Sequence, residues 1–184
     1  MNISKFTSGF RTKLIISVYE RWIKEGENII DIGCGTGVVT KLLKDYFNSE
    51  ITGCDVKNYL IYKIPFMQIV NYKIPVKSQS FDVALLNDVL HHVDKDDQEK
   101  VLLEAIRVGK KVFIFEFEPT LVGKLADIIL NKFHYGDLHA PLSVRTTHDW
   151  QTLFKKLGLK SKVVKLKKPI WYPFSHIAFL VTKI

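Results

Sequence analysis

Apolar positions along the chain recur at two spacings, and the spacings alternate. Phe10, Leu14, Ile15, Val18, Tyr19 and Trp22 repeat at helical intervals, so residues 10–23 are expected to form a helix with one buried face. Asn28–Ile32 then reads as a buried strand. Val38, Val39, Leu42, Leu43, Tyr46 and Phe47 return to helical spacing. Further strands are expected at Ile51–Val56, Phe66–Tyr72, Phe81–Leu86 and Lys111–Phe117. A helix with Val101, Leu102, Ala105, Ile106 and Val108 on its inner face precedes the last of these, with Gly109 as its expected C-terminal cap. Leu121–Phe133 reads as a helix. Thr147 is expected to cap another that buries Trp150, Leu153, Phe154 and Leu157 and ends at Gly158. Lys162–Lys167 and His176–Thr182 are the last two strands.

Strand and helix alternate through most of this order, which implies a mainly parallel sheet with helices on both faces. Strands buried on both faces should be apolar throughout, as Ile29–Ile32 and Val83–Leu86 are. The last two strands are joined by Lys168–Ser175 alone, too short for a parallel crossover, so they are expected to be antiparallel. The connection from Val56 to Phe66 is also short. Either its helix is reduced to an irregular loop, or the third strand begins later. No repeat or linker interrupts the pattern, and one domain over 1–184 is expected: an N-terminal helical segment (1–25), a core (26–117) and a final segment carrying the last two strands (118–184).

Composition changes this picture little. The 184 residues are 47% hydrophobic and 25% charged, ordinary for a globular domain. No apolar run approaches the length of a membrane span, and the first residues lack a signal-peptide core, so a soluble cytoplasmic protein is expected. Cys34 and Cys54 form no CxxC pair and read as small buried residues. No Cys/His set has metal-ligand spacing, so no metal is expected. Charge is more informative. The formal net charge is +8, and residues 150–184 hold eight lysines and no acid. That stretch is either a solvated strand face or a footprint for nucleic acid, anionic lipid or an acidic substrate.

The chemistry concentrates at Asn28–Thr40, NIIDIGCGTGVVT. In open α/β sheets ligands bind at the carboxyl ends of strands, where strand order reverses. Gly33, Gly35 and Gly37 follow the first strand, and glycine lets a backbone approach a ligand closely. The third glycine is four residues after the first, not the five of a dinucleotide fingerprint, and no Gly-Lys-Ser/Thr phosphate loop is present. Asp31 would oppose a pyrophosphate but suits a cationic amine. Asp55, at the end of the second strand, can accept both hydroxyls of a ribose. A ribose, an amino-acid end and no phosphate describe S-adenosylmethionine.

These residues also carry a family resemblance. Asp31-Ile-Gly-Cys-Gly-Thr-Gly37 resembles the first motif of the class I S-adenosylmethionine-dependent methyltransferases. Asn71–Val93, with Ile74-Pro-Val76 before Ser80-Phe-Asp82, is similar to the methyltransferase type 11 pattern, as is Leu103-Glu-Ala-Ile-Arg-Val108 before the fifth strand. The resemblance spans roughly residues 26–117. It implies a Rossmann-like, seven-stranded, mainly parallel α/β sheet with a C-terminal antiparallel strand. It implies that Gly33, Cys34, Gly35 and Gly37 shape the loop under the methionine end, with Asp31 nearby, and that Asp55 holds the ribose. Val56 would flank the adenine, Asn71 and Tyr72 would lie near it, and Asn87 would face the amino end.

Methyl transfer from a sulfonium is an in-line displacement with a neutral leaving group, so alignment matters more than acid catalysis. A base is needed only where the acceptor must lose a proton. Candidates are His91, His92 and Asp88 after the fourth strand, and His134, Tyr135 and His139 after the fifth. Glu116 and Glu118 end the fifth strand and read as a solvated strand end. Asn87-Asp-Val-Leu90 replaces the Asn/Asp-Pro-Pro-Tyr/Phe signature of exocyclic-amine methylators. The acceptor is therefore expected to be a small molecule or lipid. Alternatives are RNA or protein methylation through the lysine-rich end, and a binding module without catalysis. The acceptor site is expected to be open, or completed by Met1–Tyr19 or a second subunit.

Overall fold

A computed structural model describes residues 3–135 and 141–183. Helix α1 (Ile3–Tyr19) leads into β1 (Ile29–Ile32), α2 (Val38–Phe47), β2 (Ile51–Asp55) and β3 (Phe66–Gln68). Then follow β4 (Phe81–Asn87), a 3₁₀ turn (Leu90–His92), α3 (Gln98–Val108) and β5 (Gly109–Phe117). The chain continues through α4 (Leu121–Tyr135), α5 (Thr147–Lys156), β6 (Leu159–Lys165) and β7 (His176–Lys183). The seven strands form one sheet in the order β3-β2-β1-β4-β5-β7-β6. All neighbours are parallel except β7, which runs antiparallel to both β5 and β6. The chain builds outward from β1 in one direction and then restarts at β4 on its other side. The crevice at the ends of β1 and β4 is therefore the switch point where such sheets bind ligands.

Alternation along the strands divides the core in two. Ile30, Ile32, Ala84 and Leu86 pack on one face with Leu102 of α3 and Trp150 and Phe154 of α5. Ile29, Val83, Leu85 and Phe113 pack on the other with Tyr19 of α1 and Leu43 and Phe47 of α2. The β6 lysines 160, 162 and 165 are exposed on the outermost strand, where charge discourages edge-to-edge pairing.

The elements differ from the sequence expectation in a few places, each for a local reason. The third strand stops at Gln68 because Asn71 and Tyr72 turn the chain with positive φ (48° and 60°), closing a Val70–Lys73 bridge. The β2–β3 crossover is an irregular loop. Gly109 is the C-cap of α3, as expected, and its amide donates to the Ala105 carbonyl, but it is not in a left-handed conformation. It is extended (φ −105°) and opens β5, where a Cβ would meet the Ala84 backbone nitrogen at 2.9 Å. Thr146, not Thr147, caps α5: its hydroxyl accepts from Asp149 N at 3.1 Å, and Asp149 accepts from Thr146 N at 3.0 Å.

The Glu-x-x-Arg pair of α3 clamps the chain before β4. Glu104, buried, accepts from Ile74 N at 2.8 Å and pairs with Arg107, while Arg107 donates to the carbonyls of Ile74 and Val76. Burial opposes the Glu104 charge, but these donors hold its pKa down at about 2. Glu104→Ala should cost about 2–4 kcal/mol in denaturant unfolding, because it strands both a buried amide and a guanidinium. A cost under about 1 kcal/mol would show that the clamp contributes little.

Candidate functional site

The turn after β1 is held by Gly33 and Cys34, whose amides both donate to the Cys54 carbonyl at 2.8 and 3.1 Å. Gly33, Gly35 and Gly37 all have positive φ (75°, 52° and 73°). At Gly33 a Cβ would also lie 2.1 Å from Val89 Cγ2, so only glycine fits the conformation and the space together. Gly37 is the N-cap of α2.

Beneath the turn, Asp31 is buried and accepts from Thr40 Oγ1 at 2.6 Å and Asn87 Nδ2 at 3.2 Å. Asn87 in turn accepts from the Tyr19 hydroxyl at 2.9 Å. Burial raises the Asp31 pKa to about 6 despite these donors. Asp55 accepts from Gly35 N at 2.9 Å and Val56 N at 2.7 Å, so its carboxylate is tied to the glycine turn. Burial raises its pKa as well.

A second polar cluster lies past β4. Asp88 (φ 52°) sits between Arg11 Nη1 and His176 Nε2, each at 3.3 Å. Burial opposes its charge, but these partners hold its pKa at about 2. His91 is buried with Nδ1 2.5 Å from Glu116 and Nε2 3.5 Å from Asp127. Burial disfavours its charge, yet the two acids push its pKa to about 10, so it is an imidazolium at neutral pH. Burial and the His91 charge together push its neighbour His92 down to about 4, leaving it neutral. Glu116 is not a solvated strand end. It is 1% exposed, and it accepts from the amides of Val89 and Leu90 at 3.1 and 2.8 Å as well as from His91. It fixes the turn after β4 from the neighbouring strand. Glu118 accepts from the Thr147 hydroxyl at the start of α5.

One cavity of about 760 Å³ connects the two clusters, within the usual range of roughly 300–1,000 Å³ for ligand sites. Asp31, Gly33, Cys34, Gly35, Asp55 and Val56 line one end, and Asn87, Asp88, His91 and His92 its middle. Gly37 shapes the turn without lining the cavity. Asn71 and Tyr72 do not line it. They are spent on the turn after β3, and the Tyr72 hydroxyl donates to Asp97 at 2.7 Å. Tyr59 lines the cavity beside Val56 instead. His134 and Tyr135 are the last residues of α4, and His139 lies outside the described residues. Cys34 and Cys54 are free and buried.

Several lining residues were not anticipated individually. Ser8, Phe10 and Arg11 come from α1, Asp127 and Leu130 from α4, and Trp171, Tyr172 and His176 from the β6–β7 link and β7. The available signals were thin: Asp127 is the one acid in the apolar run of α4, and His176 opens an apolar strand. Spacing in sequence suggested no metal site, but folding brings His91, His92 and Asp127 together, and likewise Asp88, His91 and Glu116. Both sets share His91, whose ring nitrogens face Glu116 and Asp127.

A methyltransferase-domain family model matches residues 30–115. The mitochondrial ubiquinone biosynthesis O-methyltransferase of Dictyostelium discoideum is 28% identical over 159 residues, covering 74% of this chain and 48% of that protein. An O-methyltransferase of Penicillium expansum is 24% identical over 151 residues, covering 74% and 53%. The chain thus spans about half the length of these curated relatives. Among solved structures, a Pyrococcus horikoshii protein superposes with a TM-score of 0.71 at 16% identity, over 95% of this chain and 90% of that one. A SAM-dependent methyltransferase from Archaeoglobus fulgidus gives 0.65 at 16% identity over all of both chains. The motif order, the switch-point cavity and these matches agree: residues 30–115 match the methyltransferase-domain family model, and the fold is the one found in solved S-adenosylmethionine-dependent methyltransferases.

Proposed function

We propose that this chain transfers a methyl group from S-adenosylmethionine to a small, largely apolar acceptor carrying a hydroxyl or similar nucleophile. The observation that carries the reading is the continuity of the cavity. It runs from the glycine turn and Asp55 past Asn87 to an end lined by Phe10, Phe117, Leu130, Trp171 and Phe174. The residues fit the donor's parts. Asp55 offers a carboxylate to ribose hydroxyls while its own conformation is fixed by Gly35 and Val56. Val56 and Tyr59 flank the adenine. Asp31, buried and raised in pKa, suits an ammonium more than a phosphate. Arg11 is the lysine or arginine lining the cavity among the described residues, and it suits the methionine carboxylate.

S-adenosylmethionine supplies an electrophilic methyl whose sulfur departs as a neutral thioether. The chain's residues align the acceptor and exclude water. His91, charged and clamped, orients the turn after β4. His92, neutral and facing the cavity, is the residue able to take an acceptor proton. Relatives named for O- and for N-methylation favour an oxygen or nitrogen acceptor. Lys160 and Lys162 of β6 lie on the outer sheet edge, away from the switch point, and lend less support to RNA or protein as acceptor.

The test has two parts. Arg11→Ala should weaken calorimetric binding of S-adenosylhomocysteine about tenfold and leave 5′-methylthioadenosine, which lacks the amino-acid end, unchanged. Equal losses for both would remove Arg11 from the carboxylate. Labelled S-adenosylmethionine incubated with fractionated cell extract should put label in the small-molecule or lipid fraction. Label in protein or RNA would overturn the acceptor class, and binding without any label would favour a non-catalytic module.

A further inference from the structure

Helix α4 is amphipathic in the unexpected sense. Its inner side carries small and polar residues beside Leu130: Gly123 and Asp127 are buried, and Ala126 and Leu130 pack on the Phe117–Tyr172–Phe174 cluster. Its outer side presents Leu121, Val122, Leu125, Ile128 and Ile129, which are 81, 64, 59, 55 and 54% exposed. At helical spacing these five side chains fall within an arc of about 120°. Single exposed apolar residues are ordinary, but a contiguous stripe marks an interaction surface.

The β6–β7 link continues the stripe. Ile170 is fully exposed and Trp171 is 61% exposed. Trp171 and Ile129 line the same cavity, and Ala126 of the helix packs on Tyr172 and Phe174 of the link, so the two segments adjoin. Among the described residues of α4 and the link, the charged side chains that are not buried are all lysines. Lys124 and Lys132 flank the α4 stripe, and Lys165 and Lys167 precede the link. Asp127, the acid of α4, is buried against His91 and His92.

We propose that α4 and the Ile170–Trp171 link dock this chain on an anionic lipid bilayer. The helix lies in the interfacial plane with its apolar arc among the acyl chains, while the lysines meet lipid phosphates. No helix of the described residues is long and apolar enough to cross a membrane, so the contact is with one leaflet. A second copy seated on the same arc would bring like-charged lysines together, whereas anionic headgroups complement them. The cavity mouth then faces the lipid, giving an apolar acceptor a direct entrance. That last consequence rests on the function proposed above, but the docking does not.

Flotation of the full chain with vesicles tests it. The chain should float with phosphatidylcholine vesicles containing roughly one-third phosphatidylglycerol and hardly at all with phosphatidylcholine alone. Salt should weaken flotation without abolishing it, because the apolar contact is insensitive to screening. Leu125→Glu combined with Ile128→Glu should reduce partitioning about tenfold or more. Neither side chain lines the cavity, so affinity for S-adenosylhomocysteine and thermal unfolding should not change. Trp171 fluorescence should be quenched by brominated lipid. No flotation at low salt would overturn the proposal. So would unchanged flotation of the double variant, which would leave only lysine attraction, and so would a dimer broken by that variant in a chain that never floats. Loss of S-adenosylhomocysteine binding with flotation intact would count against the functional reading and leave the docking standing.

Discussion

Asp55→Ala should lower the affinity for S-adenosylhomocysteine roughly 100-fold by calorimetry. Two hydrogen bonds from ribose hydroxyls to a carboxylate are worth about 1.5–3 kcal/mol each, part of which water recovers in the free state. The same carboxylate accepts from Gly35 N and Val56 N, so alanine also releases the turn that cradles the ligand. Asp55→Asn separates these effects. It preserves shape and one acceptor oxygen, and should cost less than alanine. 5′-Methylthioadenosine retains the ribose and should suffer as much as S-adenosylhomocysteine, in contrast to Arg11→Ala. An Asp55→Ala protein that binds both ligands within threefold of wild type would refute the ribose assignment.

The parts of this molecule that could be read from sequence are those whose cause is local. β1, the glycine turn and α2 follow from an apolar run, three glycines and a helical repeat in adjacent positions. The antiparallel end follows from a short link. The crossover after β2 could be read only as two alternatives, because a loop without periodicity leaves no trace of its path. Asn71 and Tyr72 show what a motif position leaves out. Their left-handed backbone is spent on a turn, and the chain passes outside the cavity that Val56 and Tyr59 line. Glu116 shows the opposite limit. A carboxylate at the end of an apolar strand has the same one-dimensional signature whether it is solvated or buried. Its partners at Val89, Leu90 and His91 are 25 to 27 residues away. Only strand pairing between β4 and β5 makes them neighbours. Arg11 and Asp88, 77 residues apart, were unreadable for the same reason.

The Glu116 cluster should dominate both stability and its pH dependence. Glu116→Ala leaves a buried imidazolium and two buried amides without their acceptor, and should cost about 3–5 kcal/mol in denaturant unfolding. The pH dependence identifies the cause. His91 has a folded pKa of about 10 against an ordinary value of 6.5, so the native state holds a proton that the unfolded chain releases. Its stabilisation is fully present below pH 6.5 and is lost as pH rises toward 10. The other large shifts act elsewhere. Asp31 and His92 titrate at or below their values of about 6 and 6.5, and the buried cysteines begin to contribute only near their ordinary 9.0. Between pH 6.5 and 9, unfolding free energy should therefore fall by about 1.4 kcal/mol per pH unit from this one histidine. Glu116→Gln retains a carbonyl for Val89 and Leu90 but removes the charge beside Nδ1. It should be less destabilising than alanine and should largely flatten that slope. A wild type that is flat across the window, or a glutamine variant with the wild-type slope, would mean that His91 is not the charged centre of this cluster. The turn after β4 would then owe its position to the backbone hydrogen bonds alone.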